Sequence, residues 1–238
     1  MKSSLVNPGV LERYIKIISP WAGCLSLIFL FIGIWFALFN SPPDYQQGET
    51  VRIMYVHVPS AWMSMFIYTA IAISSLLGLI YGHLVAYIFA KAVAPIGAFF
   101  TLITLVTGSL WGKPMWGTWW VWDARLTSVF ILFFFYVGFI IFSKSFNDPS
   151  KGDKISSVLA LVGFINIPII KFSVDFWTTL HQPASISKLG SPSIHNEMLI
   201  PLMIMFLSFM LLFIYIFSKR FIAELNLRRF VAYTLNSK

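Results

Sequence analysis

The sequence predicts an all-α integral membrane protein with six transmembrane helices, and three observations lead to that fold class. Hydrophobic residues make up 58% of the 238 residues and charged residues only 11%, whereas a soluble domain averages about 45–50% apolar and about 25% charged residues. Uncharged apolar stretches recur six times along the chain. The excess of 17 Lys and Arg over 9 Asp and Glu falls between these stretches, which is typical of membrane topology and excludes a nucleic-acid-binding surface.

Each apolar stretch is expected to cross the membrane as a helix, because about 20 helical residues span a bilayer core and lipid offers the backbone no hydrogen-bonding partners. The first stretch is too long for a cleaved signal peptide and is expected to be retained. The fifth is the weakest, since it is short and contains Asn166 and Pro168. Residues 1–238 therefore form a single six-helix domain, with predicted spans at 18–39, 61–81, 92–110, 126–142, 155–170 and 198–217.

The basic residues predict that both termini are cytoplasmic (N-in/C-in), because most of them lie on the side that also carries the two chain ends. The outward segments are then the loops 40–60 and 171–197 and the connection between the third and fourth spans. The protein is expected in the bacterial inner membrane or its mitochondrial equivalent. The cytoplasmic tail 218–238 alternates basic and apolar residues and predicts an interfacial helix, with contact to a cytoplasmic partner as the alternative.

Two histidines on the outward side share a local sequence context. His57 lies in "YVHVPSAW" and His181 in "FWTTLHQPAS", and each is followed by x-Pro and has a tryptophan within five positions. Pro59 is expected to be the first residue of the second helix, which puts His57 just outside that helix. Pro183 disfavours helical angles at Gln182, so His181 is expected to end a helical stretch or to begin a turn. Two histidines without an outward cysteine suit a free metal ion poorly, whereas haem brings four nitrogens and leaves two axial positions.

The segment 111–128, "WGKPMWGTWWVWDARLTS", holds five of the nine tryptophans of the chain. If the stretch is helical, positions 116, 119, 120 and 123 lie on one face. An interfacial aromatic belt is the simpler interpretation, but a belt spreads its tryptophans over several helix ends. The crowding favours an amphipathic platform on which a porphyrin stacks, formed by Trp111, Trp116, Trp119, Trp120 and Trp122.

Charged residues near the platform suit the two propionates of haem. Arg125 is a natural partner for one propionate and Arg52 is a candidate for the other, because a guanidinium donates in a fork to a carboxylate. Asp123 would repel a propionate. It is expected instead to accept a hydrogen bond from an indole N–H or to hold Arg125 in place.

The tryptophans, with Gly112, Gly117, Asp123 and the following "ARLTS", resemble the WWD signature of haem-handling membrane proteins. Over its six-helix body the chain is similar to the haem exporter protein C (CcmC) family of the type I cytochrome c maturation system. The resemblance implies haem b bound at the outer face beneath the WWD segment, with His57 and His181 as axial ligands.

The resemblance also implies contributions from the first outward loop, where "PPDYQQGETVR" matches through Asp44, Gln47 and Arg52. The implied task is to load haem onto a membrane-tethered periplasmic haem chaperone. The implied partners are the ATPase and permease subunits of an ABC-transporter-type complex and a small single-span protein. No P-loop pattern occurs in the chain, so ATP hydrolysis is expected on a partner, and the chain is expected to present haem rather than to act as an enzyme.

Three other functions remain as alternatives at this stage. A permease that carries haem across the bilayer would require a polar path, yet the predicted spans have almost no ionisable residues. A b-type electron-transfer cytochrome would ligate haem from histidines inside its helices, and no predicted span contains a histidine. The third alternative is a purely structural membrane scaffold.

Overall fold

The computed structural model describes residues 8–182, 186 and 193–236, and every regular element within these residues is helical. Six helical stretches are long and apolar enough to cross a membrane, and each contains one of the predicted spans. The six-span fold class is therefore confirmed. The stretches are Pro8–Asn40, Glu49–Tyr81, Leu84–Trp116, Ala124–Phe142, Pro149–Phe176 and Asn196–Thr234.

The helices run further than their apolar stretches, and two short irregular turns join them. A π-helical turn (Phe36–Asn40) follows α1, and a 3₁₀ turn (Glu49–Ile53) leads into α2. We call the end of the bundle with residues 41–53 and 117–123 the loop end, and the opposite end, with both chain termini, the terminal end. The helices are α1 (Pro8–Trp35), α2 (Met54–Tyr81), α3 (Leu84–Trp116), α4 (Ala124–Phe142), α5 (Pro149–Phe164), α6 (Asn166–Phe176) and α7 (Asn196–Asn236).

Local signals explain where several helices start and stop. Gly82 ends α2 and Gly117 ends α3, each with a positive φ of 62° and 74°, the left-handed conformation that glycine adopts without a Cβ clash. Asp123 and Asp148 cap α4 and α5, because their carboxylates accept from the backbone N–H groups of the first turn.

The fifth span is longer than predicted, because polar residues at its start are buried inside the bundle. It is broken at Ile165 into α5 and α6. Pro168 has no N–H to continue the ladder, and the side chain of Asn166 donates to the carbonyl oxygen of Ser128 at 2.8 Å. The span thus bends where α4 supplies a hydrogen-bond acceptor.

The centre of the bundle is closely packed around α2. Tyr68 and Tyr136 are fully buried and meet edge to face with ring centres 4.9 Å apart. Gly163 on α5 and Gly97 on α3 lie against these two rings, and neither position has room for a Cβ atom. Glycine is needed here because the helices approach each other at the level of their backbones.

The first and last helices pair along their length. Gly33 of α1 packs on Met205 of α7, and the Ser208 hydroxyl donates to the carbonyl oxygen of Ser26 at 2.9 Å. The outer face of α1 leaves Trp21 and Phe31 exposed, as expected of a helix that faces lipid. α1 and α7 thus form an antiparallel pair at the side of the bundle.

The tail predicted at 218–238 is not a separate helix, because α7 continues without a break to Asn236. Phe221 and Leu225 on this extension are buried against Ile15 and Ile88. One side of the extension therefore packs on α1 and α3, whereas Leu227, Phe230 and Tyr233 are exposed, and contact with the membrane surface stays a prediction.

Ion pairs fasten the terminal end. The carboxylate of Asp153, whose side chain is 1% exposed, pairs with Lys91 of α3 at 2.5 Å and with Arg228 of α7. Arg229 pairs with Glu12 of α1 at 2.9 Å. These contacts tie α5 to α3 and α7, and α7 to α1.

Candidate functional site

A cavity of about 340 Å³ lies at the loop end, between α2, α3, α4 and the segment after α6. Most of its wall is apolar, which suits a hydrophobic ligand held by a few polar groups. The structure brings several of the predicted site residues to its wall: Gln47, His57, Trp111, Trp116, Trp120, Arg125 and His181. Other residues around the cavity include Met54, Val58, Trp62, Met65, Met115 and Leu202.

His57 lies inside α2, not before it. The prediction that Pro59 begins the second helix is wrong, because the 3₁₀ turn runs directly into a helix that starts at Met54. Pro59 is the sixth residue of α2, inside the helix, where it lacks the N–H that would bond to the carbonyl oxygen of Tyr55. A span therefore does contain a histidine, which removes one argument used against an electron-transfer cytochrome.

The His57 ring is fixed by contacts with α3. Its Nδ1 lies 3.0 Å from the hydroxyl oxygen of Thr107, and its ring meets Trp111 edge to face with centres 5.6 Å apart. Gly108 lies beside the ring, where a Cβ would come within 3.0 Å of Cε1. With 8% exposure, His57 is held from two sides in one orientation.

His181 faces His57 across the cavity. It lies in the non-helical residues 177–182, after α6 ends, and the structure agrees with the expectation that no helix continues through it; Pro183 itself is outside the described residues. The two imidazole centres are 6.3 Å apart. Two imidazoles on opposite sides of one iron have centres about 6 Å apart, because each bond is about 2 Å and each ring centre lies about 1 Å behind its nitrogen.

The spacing therefore fits a single iron between the two rings, and the largely apolar wall with three tryptophans has the chemistry that suits a porphyrin. Trp116 lies 6.2 Å from His181, centre to centre. Burial and the positive charge of Arg125 lower the pKa of His181 to about 4, so its ring is neutral at neutral pH, as a histidine ligand of a metal has to be. Within the described residues, no cluster of three or more His, Cys, Asp or Glu offers a site for a free metal ion.

Arg125 is held at the start of α4 by α6. Its Nε donates to the hydroxyl of Ser173 at 3.0 Å, and its Nη2 lies 3.4 Å from the carbonyl oxygen of Lys171. Its Nη1 lies 3.3 Å from Nδ1 of His181. The guanidinium is thus fixed on two sides, and its third nitrogen faces the histidine at the cavity wall.

The tryptophan segment is not one helix. α3 ends at Trp116, Gly117 turns the chain, and residues 117–123 are not helical, so the single helical face proposed for 116, 119, 120 and 123 is wrong. Trp111, Trp116 and Trp120 line the cavity, whereas Trp119 and Trp122 lie outside it and are 54% and 73% exposed.

Asp123 has different partners from those expected. Its carboxylate accepts from the backbone N–H of Leu126 at 2.8 Å and from the hydroxyl of Thr179, and within the described chain it has no hydrogen bond to an indole or to Arg125. The Thr179 oxygen in turn accepts from the backbone N–H of His181 at 3.0 Å. Asp123 thus links the start of α4 to the segment that carries His181.

The first outward loop reaches the cavity through one residue. The Asp44 carboxylate accepts from the backbone N–H groups of Gln46 and Gln47, and the Gln47 side chain accepts from the indole N–H of Trp111 at 2.9 Å. Arg52 does not line the cavity: it pairs with Glu49 at 2.5 Å and donates to the carbonyl oxygen of Ala37 in the π-helical turn after α1. Asp44 and Arg52 therefore shape the loop and do not line the cavity.

Sequence reasoning missed the residues that hold the two histidines and Arg125 in place. These residues are Thr107, Ser173 and Thr179. Each lies about fifty residues along the chain from its partner, which is His57 for Thr107, Arg125 for Ser173 and Asp123 for Thr179. No local pattern marks them. The only nearby signal is the pair Gly108 and Gly112, four residues apart, whose missing side chains leave room for His57 and Trp116.

Comparison with known proteins places this architecture in a family. The sequence model of the family described as heme exporter protein C matches residues 1–236. A heme exporter protein C from Bradyrhizobium diazoefficiens is 50% identical over 88% of this chain and 80% of its own length. A putative cytochrome c biosynthesis ccmC-like mitochondrial protein from Marchantia polymorpha is 54% identical over 84% of this chain and 83% of its own.

A further relative, the heme exporter protein C of Haemophilus influenzae, is 47% identical over 92% of this chain and 89% of its own length. The match therefore extends over all six membrane spans and includes the cavity at the loop end. The chain belongs to the heme exporter protein C family.

Proposed function

We propose that the protein handles haem in cytochrome c maturation, by holding haem b at the loop end with His57 and His181 as axial ligands. The observation that carries the proposal is the facing pair of imidazoles, 6.3 Å apart across a largely apolar cavity. Trp111, Trp116 and Trp120 provide flat surfaces for the porphyrin. The names of its relatives, heme exporter and cytochrome c biosynthesis proteins, support the same function.

The loop end is the outer face in this proposal, periplasmic in a bacterium, and the membrane is the inner one. The haem is cargo, which passes to a membrane-tethered periplasmic haem chaperone. An ABC-type ATPase, its permease and a small single-span protein are the proposed partners, and ATP hydrolysis belongs to the ATPase. The exposed Trp119 and Trp122 lie beside the cavity, where they contact the membrane interface.

Transport of haem through this chain alone is the less favoured alternative. Below the cavity the centre of the bundle is filled by Tyr68, Tyr136 and Phe139, whose side chains are at most 1% exposed. A permease would have to open this packing, whereas presentation from the loop end leaves it intact. The packing therefore supports presentation.

Spectra of the purified protein titrated with haem test the axial ligands. We expect a low-spin bis-histidine spectrum for the wild type and a changed coordination in His57→Ala and in His181→Ala. His195→Ala is the matched control, because His195 is an exposed histidine outside the cavity, and its spectrum should equal that of the wild type. An unchanged low-spin spectrum in both cavity variants would refute the assignment.

The tryptophan surface has its own test. Trp120→Ala should weaken haem retention, since Trp120 lines the cavity, whereas Trp119→Ala should not, since Trp119 lies outside it. Membrane insertion should be normal in both variants. Equal haem retention in the two variants would favour an aromatic belt over a haem-binding surface.

A further inference from the structure

The Nδ1 atom of His181 lies between two groups of opposite hydrogen-bonding character. Nη1 of Arg125 is 3.3 Å away and can only donate, and the carbonyl oxygen of Gln182 is 3.3 Å away and can only accept. A ring nitrogen of neutral imidazole carries either a lone pair or a proton. His181 therefore bonds one of these two neighbours at a time.

The choice decides which nitrogen of His181 is available to iron. When Nδ1 accepts from Arg125, the single proton of the neutral ring is on Nε2, and Nε2 has no lone pair to give to a metal. When Nδ1 carries the proton and donates to Gln182, Nε2 is free to ligate. Arg125 thus stabilises the arrangement of His181 that does not bind iron through Nε2.

His57 is held in the opposite arrangement. The hydroxyl of Thr107 donates its one proton to the carbonyl oxygen of Ile103 at 2.6 Å, so its oxygen accepts from Nδ1–H of His57 at 3.0 Å. The lone pair of His57 is then on Nε2. Of the two facing imidazoles, His57 is ready to ligate in the ligand-free protein and His181 is not.

Arg125 is positioned to exchange its contact with His181 for a carboxylate. Nε and Nη2 remain bonded to the hydroxyl of Ser173 and to backbone carbonyls of α6, and only Nη1 contacts the imidazole. The bond from Arg125 to a carboxylate adds the attraction between two opposite charges, which the bond to a neutral imidazole lacks, and it allows the fork geometry that guanidinium and carboxylate share. A propionate that reaches Nη1 would therefore displace His181 without moving the rest of the guanidinium.

We propose that Arg125 couples recognition of a porphyrin carboxylate to ligation by His181, an inference that rests on the proposed function. His57 ligates first. When a propionate takes Nη1 of Arg125, the His181 proton moves from Nε2 to Nδ1 through water, with no change in net charge, and His181 becomes the second ligand. A porphyrin without free carboxylates remains bound to His57 alone.

Haem and haem dimethyl ester, in which both propionates are esterified, distinguish this mechanism. In the wild type we expect a six-coordinate low-spin spectrum with haem and a five-coordinate high-spin spectrum with the ester. In Arg125→Ala the ester should give the six-coordinate spectrum, because His181 is no longer held. Lys113→Ala removes an exposed cation outside the cavity and should behave as the wild type.

A six-coordinate bis-histidine spectrum of the ester with the wild type would overturn the inference while leaving the proposed function intact. Loss of the His57 and His181 effects on haem itself would overturn both. Should the ester fail to bind, ¹⁵N spectra of the ligand-free protein decide: protonation of His57 at Nδ1 and of His181 at Nε2 supports the inference, and protonation of His181 at Nδ1 contradicts it.

Discussion

Thr107 determines how His57 presents itself to the cavity. Its hydroxyl is bonded back to its own helix and leaves only an acceptor for the imidazole. The hydrogen bonds therefore run from the His57 ring of α2 to the Thr107 hydroxyl and from that hydroxyl to the carbonyl oxygen of Ile103, both on α3. A single hydroxyl thus fixes both the rotation of the His57 ring and the position of its proton.

Replacement of this hydroxyl should weaken haem binding. Thr107→Val keeps the size of the side chain but removes the acceptor, and loss of such a supporting bond costs about 10–100-fold in metal affinity. Haem titration of the purified protein measures the change. Thr107→Ser retains the hydroxyl and should bind as the wild type does; equal affinity in Thr107→Val would mean that the bond does not position His57.

The low pKa of His181 predicts a pH dependence of the ligand-free protein. His181 titrates near pH 4 in the folded chain and near 6.5 when unfolded, so the unfolded chain binds the proton first. The contribution of His181 to stability is therefore present above about pH 6.5, falls as the pH falls towards about 4, and is constant below that.

Thermal midpoints of the ligand-free wild type and of His181→Gln, compared between about pH 7 and about pH 4.5, test this prediction. The wild type should lose more stability than the variant as the pH falls. The same substitution at His195, an exposed histidine outside the cavity, is the control. Parallel curves for wild type and His181→Gln would show that His181 titrates alike in both states.

At the scale of helices, Asp153 is the point where three elements meet. It joins α5 to Lys91 of α3 and to Arg228 of α7, in a position where its carboxylate is shielded from water. Two cations converge on one anion. Each cation therefore depends on Asp153 for its charge compensation.

Asp153→Ala should destabilise the fold by about 3 kcal/mol, the lower end of the range for a broken buried pair, because Lys91 and Arg228 lose their partner while 13% and 22% exposed. The comparison is Glu49→Ala, which breaks an exposed ion pair with Arg52 and should cost no more than about 1 kcal/mol. Unfolding in a denaturing detergent measures both. Equal losses would mean that the Asp153 cluster is solvated like a surface pair.

Helix existence was predictable from the sequence, whereas helix ends and the supporting residues of the site were not. Apolar length alone identifies all six spans, and the x-Pro context selects the two histidines that face each other. The start of α2 was misplaced because Pro59 is the sixth residue of α2 and lies inside the helix instead of at its first position. Thr107 was missed because its partner His57 is fifty residues away in the sequence, and only the packing of α2 on α3 brings the two side chains together.

At the scale of the whole molecule, the charge pattern predicts that the cavity faces outward. In a variant with Cys24 replaced by Ser, Tyr45→Cys on the 91% exposed position of the first loop should react with a membrane-impermeant maleimide in intact cells. Tyr233→Cys on the α7 extension, 73% exposed, should react only after the membrane is opened. The reverse pattern would invert the topology and contradict the proposed outer site.

The pairing of α1 with α7 has a consequence for biosynthesis. The ribosome synthesises α1 before α7, so α1 has no partner in the bilayer until α7 has been inserted. Leu202 of α7 also contributes to the cavity wall, and Arg228 near the end of the chain completes the Asp153 cluster. A chain that ends before α7 therefore lacks part of the cavity wall and leaves the face of α1 that packs on α7 uncovered.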